Sequence, residues 1–184
     1  QAKKLKGCDF TFRNISVTGT ETLMMTAVLA EGNTVLKNAA SEPEIPALAD
    51  FLNQCGACIE GAGTQTIKIK GTGGRLLEAK GRSIQTIPDR IEAGSFLVLG
   101  ALLGKPIKIT NCAPEHLAVP IQTLQSAGVP IRIGKDWLEV SKPATLKSLD
   151  LKTREYPGFP TDLQSLFVVL MTQAEGESTA YETV

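Results

Sequence analysis

Four stretches of the chain carry residue types that can do chemistry. The segment YPGFPTD, residues 156–162, sets one carboxylate, Asp162, shortly before the apolar run 166–171. A carboxylate there can serve as a general base if its surroundings draw its pKa toward neutrality. It can equally be a first-turn residue complementing a helix dipole, with Thr161 as the cap. The segment NISVT, residues 14–18, stands at the entry of a predicted helix. Backbone N–H groups bind phosphate at such a point, and Ser16 and Thr18 are also ordinary caps there. Cys55 and Cys58 have the C-x-x-C spacing of a redox pair or half a zinc site. The pair falls at a predicted helix end with Gly56 as C-cap, so no helix N-terminus lowers a thiol pKa. Cys8, Cys112 and His116 lie too far away in sequence to complete a zinc site by short spacing. Two half-buried thiols are expected. The run KGTGGR, residues 70–75, resembles a phosphate loop only superficially, because LLEAKGRSIQTI after it reads as further strand and not as a helix start. It is read as a linker.

Composition narrows the partners. Lys+Arg 19 against Asp+Glu 19 leaves no net charge, and no basic stripe interleaves with aromatics. Nucleic-acid binding therefore has little electrostatic support, and a small polar ligand is the better expectation. A hydrophobic content of 42% over 184 residues is enough to bury a core. The longest apolar runs, 96–103 and 166–171, fall well short of the roughly 20 residues that span a bilayer. The start QAKKLKG lacks a following apolar region and does not read as a signal peptide. A cytoplasmic protein with no membrane partner is the resulting expectation.

The elements that must position these residues come as an internal repeat with a period of roughly 72 residues. Residues 23–45 and 96–117 both run from apolar helix through a glycine turn to a short strand ending in asparagine, then to a Pro/Glu helix start. Asn38 pairs with Asn111, and Gly56 with Gly128. A third copy opens at Phe159. In the first copy, a strand over residues 9–17 leads to a helix over about 20–30, capped by Thr18 or Thr20 and, from its lack of a polar face, buried all round. A strand at 34–37 follows. Ser41 to Glu44 form a capping box with Pro43 in the first turn of an amphipathic helix bearing Ile45, Leu48, Phe51, Leu52 and Cys55. Residues 58–60 and 66–70 form a hairpin. The unit is β-α-β-α-β-β, an α/β (α+β) class of fold. A second unit starts near Pro88 and Asp89, its hairpin spanning 131–140 with Trp137 as a packing residue, and residues 142–153 are connector plus the first strand of the third. Arg90 and Glu92 read as a solvated pair or an interdomain contact.

With those elements placed, SVTGTETLMMTAVLAEG, NAASEPEI, PDRIEAGSF and FPTDLQSLF together resemble the UDP-N-acetylglucosamine 1-carboxyvinyltransferase family of enolpyruvyl transferases. The resemblance covers essentially the whole chain; the repeat alone would also admit the shikimate-pathway sister family. It implies two domains of three units each, with buried helices and an outer sheet, an inside-out α/β barrel, and a cleft between the domains for UDP-N-acetylglucosamine and phosphoenolpyruvate. It implies further that residues 1–86 are the last unit of the N-terminal domain, and that 87–184 are the first unit and the start of the second unit of the C-terminal domain. The complete protein, more than twice as long, would be a monomer needing no cofactor or metal.

The resemblance also assigns roles. Asp162 matches the aspartate that contacts the sugar 3-hydroxyl and is the candidate general base. Asn14, Ile15, Ser16 and Val17 match the segment that contacts the diphosphate, with Asn14 where the family usually has lysine and Arg13 as the nearest replacement cation. Val184 matches a backbone contact to the sugar nucleotide. The family's reactive cysteine loop and its phosphoenolpyruvate-binding Lys-Asn pair and arginines would precede Gln1, and none of the four cysteines matches the reactive one, so this chain alone is expected to be inactive. The competing expectation is a standalone repeat module that binds a ligand or partner without chemistry.

Overall fold

The computed structural model describes residues 4–184; Gln1, Ala2 and Lys3, part of the basic start considered above, lie outside them. The chain divides into two compact units, Gln1–Ile87 and Pro88–Val184. Both are mixed α/β, with helices alternating with short strands. Among the described residues, no helix is long and apolar enough to cross a membrane.

The first unit runs β1 (Asp9–Thr11), α1 (Val17–Val28), β2 (Asn33–Lys37), α2 (Glu44–Gln54), β3 (Cys58–Glu60) and β4 (Thr66–Lys70). Its sheet order is β1-β2-β4-β3, with β1 parallel to β2 and the other pairs antiparallel. The parallel pair requires a crossover, which α1 supplies. Alternation in β4 buries Ile67 and Ile69 and exposes Thr66, Lys68 and Lys70, so one sheet face is apolar. Met24 and Val28 of α1, Leu36 of β2 and Ile45 of α2 close over that face. Together they form the core, each fully buried aliphatic side chain contributing about 1.5–3 kcal/mol.

The second unit runs α3 (Arg90–Leu102), β5 (Ile107–Thr110), a 3-10 turn Pro114–Leu117, α4 (Ala118–Ser126), β6 (Ile131–Ile133), β7 (Trp137–Val140), β8 (Asp150–Lys152), a 3-10 turn Thr161–Leu163, α5 (Gln164–Met171) and β9 (Thr179–Tyr181). The antiparallel sheet β5-β7-β6 repeats the β2-β4-β3 arrangement, and the parallel pair β8-β9 repeats β1-β2. Even the flanking parallel bridge recurs, Lys6 with Glu31 and Lys147 with Glu175.

The repeat extends to backbone detail. Asn38 and Asn111 both follow the strand after the first helix and both have positive φ, 54° and 57°. Asparagine tolerates this left-handed conformation better than most residues with a Cβ. The next amide then donates across to the hairpin, Ala39 to the Gln65 carbonyl and Cys112 to the Asp136 carbonyl, each at 3.1 Å. Helices α2 and α4 end alike: Gly56 and Gly128, with φ of 100° and 89°, turn the chain so that Ala57 and Val129 N–H reach the Leu52 and Leu124 carbonyls. That is the 6→1 closure of a Schellman motif.

Several local expectations change. Helix α1 starts at Val17, not Thr20, and is capped by Ser16 and not by either threonine. The strand before it stops at Thr11, because residues 12–16 turn into the cap. Helix α2 begins at Glu44 with Pro43 as its N-cap, so Pro43 stands before the helix and not in its first turn. The helices are not buried all round either, since Met25 of α1 and Phe96 and Leu99 of α3 are exposed within their own units. Residues 76–87 form no strand. Cys55 is buried and Cys58 exposed, so the two thiols differ and are not both half-buried.

Candidate active site

In the first unit, residues 14–17 form the entry to α1. Ser16 is extended (φ −142°, ψ 119°), and its hydroxyl accepts a hydrogen bond from Gly19 N–H at 3.1 Å. The Ser16 carbonyl in turn accepts from Thr20 N–H at 2.9 Å and from the Thr20 hydroxyl at 2.8 Å. Thr20 is completely buried, and its hydroxyl oxygen accepts from Ala40 N–H at 3.0 Å, tying the helix start to the segment after β2. The first-turn amides of Val17 and Thr18 have no intrahelical acceptor by virtue of position. With the positive end of a 12-residue helix behind them, they make a favourable place for an anion. Arg13 and Asn14 are exposed beside this turn, while Ile15, Ser16 and Val17 are partly buried. Gly19 keeps the turn tight, because a Cβ there would stand 2.9 Å from Ser16 Oγ and 3.0 Å from Phe12 Cε1.

In the second unit, Asp162 is the middle residue of the 3-10 turn Thr161–Leu163, and its side chain is exposed. Leu163 beside it is completely buried, as are Phe167 and Leu170 of α5. The preceding loop is closed at its base, where Thr153 bridges Phe159 and Arg154 N–H reaches the Phe159 carbonyl at 2.9 Å. Phe159 packs edge-on against Phe167 with ring centroids 4.7 Å apart. Arg90 lies with its guanidinium carbon 5.9 Å from the Tyr156 ring centroid, a cation–π contact that the solvated-pair reading of Arg90 had not foreseen.

Thr161 does not cap the helix. The N-cap of the turn is Pro160, without a side-chain cap, and the Thr161 hydroxyl donates to Glu182 at 3.2 Å. The same carboxylate accepts from the Thr153 hydroxyl at 2.7 Å and from Val184 N–H at 2.8 Å. These donors, the Thr153 hydroxyl first and the Val184 amide next, hold the Glu182 pKa below its ordinary value. Thr161, the residue before Asp162, and Val184 are thus brought into one network, whereas residues 14–17 belong to the other unit. The sequence reading passed over Glu182 and Thr153. A threonine in a short strand and a glutamate near a chain end carry no spacing signal; only the pairing of β8 with β9 makes them neighbours.

The sequence pattern of the EPSP synthase (3-phosphoshikimate 1-carboxyvinyltransferase) family matches residues 1–184. The chain belongs to this family. Among curated members, the UDP-N-acetylglucosamine 1-carboxyvinyltransferase of Acidobacterium capsulatum is 49% identical over 100% of the chain, which covers 42% of that protein. The protein of the same description from Koribacter versatilis is 48% identical, with the same two coverages of 100% and 42%. The chain therefore spans less than half the length of these relatives. Among solved structures, the enolpyruvyl transferase NikO from Streptomyces tendae superposes with a TM-score of 0.86 at 24% identity, over 98% of this chain and 45% of that one. EPSP synthase from Acinetobacter baumannii gives a TM-score of 0.61 at 21% identity, over 96% of this chain and 41% of that one. Both likenesses bear on the fold alone, and the repeated α/β units described above are the fold of this enolpyruvyl transferase family.

Proposed function

We propose that the chain is part of an enzyme that transfers the enolpyruvyl group of phosphoenolpyruvate to the 3-hydroxyl of UDP-N-acetylglucosamine, the committing step of peptidoglycan synthesis in the cytoplasm. The observation that carries this reading is the 49% identity, along the entire chain, to a UDP-N-acetylglucosamine 1-carboxyvinyltransferase.

In this reading, residues 1–86 are the last unit of an N-terminal domain and residues 87–184 the first unit and the start of the second of a C-terminal domain. Complete, each domain is an inside-out α/β barrel of three units, and the whole protein acts as a monomer. Asp162 is the general base. It takes the proton of the sugar hydroxyl as the hydroxyl oxygen adds to C2 of phosphoenolpyruvate and C3 is protonated; the adduct then loses phosphate and a proton to give the enol ether. Its exposure at the mouth of α5 supports access to a substrate hydroxyl. The diphosphate of the nucleotide lies at the start of α1, against Asn14, Ile15, Ser16 and Val17. With asparagine at position 14, the helix-end amides and Arg13 carry the attraction to the anion. Val184 meets the nucleotide through its backbone.

The test is phosphate release by the full-length protein. It should require both substrates together, and release of phosphate without UDP-N-acetylglucosamine, or none with it, would reject the reading. The 184-residue chain alone should release none.

A further inference from the structure

We propose that Glu182 is the positioning residue that locks the Asp162 turn to the segment bearing Val184. The role rests on the enolpyruvyl-transfer reading of those two residues; the tie itself is geometric. The Glu182 carboxylate ties its own segment to two others at once. Oε1 accepts from the Thr153 hydroxyl and the Val184 amide, and Oε2 accepts from the Thr161 hydroxyl, one residue before Asp162. An ionised carboxylate is acceptor-only, with lone pairs on both oxygens, so it suits three converging donors, and such charge-assisted bonds are stronger than neutral ones.

Thr153 is the fixed point of this arrangement. It is completely buried. Its N–H donates to the Tyr181 carbonyl at 3.0 Å, and its hydroxyl oxygen accepts from Thr183 N–H at 2.8 Å. The Thr183 hydroxyl donates back to the Thr153 carbonyl. A buried hydroxyl needs its own proton acceptor, and Glu182 provides it. Asp162, by contrast, sits in a 3-10 turn of three residues, whose hydrogen bonds are few and of poor geometry. Buried Leu163 anchors one end of that turn in the core, but the end before Asp162 needs a tether of its own. The Thr161–Glu182 bond supplies the tether, and the lowered pKa of Glu182 agrees with a carboxylate held ionised by its donors.

The experiment compares wild-type full-length protein with Glu182→Ala, Glu182→Gln and Thr161→Val. Phosphate release is measured at varied UDP-N-acetylglucosamine, and amide hydrogen exchange is measured in residues 159–163 and 181–184 without substrate. Glu182→Ala should lower kcat about 10–100-fold, the scale of a misplaced catalytic group, raise KM for the nucleotide sugar and speed exchange in both segments. Glu182→Gln keeps one acceptor oxygen, and its amide can donate to Thr161 Oγ1, so it should recover most of both parameters. Thr161→Val should lower kcat with KM unchanged and speed exchange only in 159–163, because Val184 keeps its acceptor. Unchanged exchange in Glu182→Ala overturns the tie. Faster exchange with wild-type kcat and KM overturns the positioning role, as does a Glu182→Gln protein no better than Glu182→Ala. A wild-type protein that releases no phosphate rejects the proposed reaction, and the role with it, while the exchange data still decide whether Glu182 makes the tie.

Discussion

Leu163 seats directly against Gly94: a Cβ built on the glycine would lie 2.5 Å from Leu163 Cδ1 and 3.0 Å from Cδ2. Helix α3 therefore accepts the residue next to Asp162 only because position 94 carries no side chain. Gly94→Ala should push Leu163 out of its seat at a cost of about 1–3 kcal/mol, the usual penalty of overpacking. The gain in helix propensity, up to about 1 kcal/mol, does not offset it. Thermal or urea unfolding of the full-length protein checks the sign. A neutral or stabilising result would mean that the contact relaxes without strain.

Asp162→Asn in the full-length protein should reduce phosphate release by about 10²–10⁴-fold, the range of general-base catalysis. Because the side chain is exposed, stability should change by no more than about 0.5 kcal/mol. Turnover and a melting curve on the same preparation separate the two effects. Normal turnover would remove Asp162 from the chemistry.

Ser16→Ala removes the side-chain acceptor of Gly19 N–H and should destabilise the protein by about 1 kcal/mol, as for other N-caps. In the proposed enzyme it should also raise KM for UDP-N-acetylglucosamine, since an orphaned first-turn amide and a frayed turn hold the diphosphate less well. Ser16→Asp separates the two roles. It restores the cap, yet places a negative charge at the proposed diphosphate site, so stability should recover while KM rises further.

The Glu182 tie should depend on pH in one direction. Its folded-state pKa is lowered, chiefly by the Thr153 hydroxyl and then by the Val184 amide. A lowered carboxylate pKa gives a contribution fully present above the ordinary glutamate value and lost as pH falls through the lowered one. The Val184 amide resonance in full-length protein should therefore be constant at neutral pH and titrate only below the ordinary glutamate range. A midpoint at or above that range would contradict the network.

The cysteines should separate by accessibility. Cys8 and Cys58 are exposed, and Cys55 and Cys112 buried. Burial also raises the Cys112 pKa, with the carboxylates of Asp136 and Glu115 adding to the shift. Since the thiolate is the reacting form, alkylation near neutral pH should label Cys8 and Cys58 first and Cys112 among the last, as peptide mass spectrometry would show. Fast labelling of Cys112 would indicate that the structure burying it opens locally.

Much of the unit was legible in the sequence because its signals are local. Alternation in residues 66–70 and the glycine turn before them specify the hairpin, and Gly56 and Gly128 mark helix ends because few other residues adopt their φ. The echo of Asn38 in Asn111, 73 residues on, announced a repeated backbone conformation, and residues 156–162 announced a loop with a carboxylate at its end. Which hydroxyl caps a helix was not legible. Ser16, Thr18 and Thr20 are all competent, and the choice fell to Ser16 because Thr20 is drawn into the core to meet the amide of Ala40. Nor was the destination of Thr161 readable, since a threonine before an acidic residue reads as a cap until a distant strand offers a better acceptor. Pattern along the chain determined the elements and the place of Asp162. Only the pairing of β8 with β9, which joins residues about thirty positions apart, decided that Thr153, Thr161, Glu182 and Val184 share one set of hydrogen bonds, because sequence spacing encodes the contacts within an element and not those that form when two elements meet.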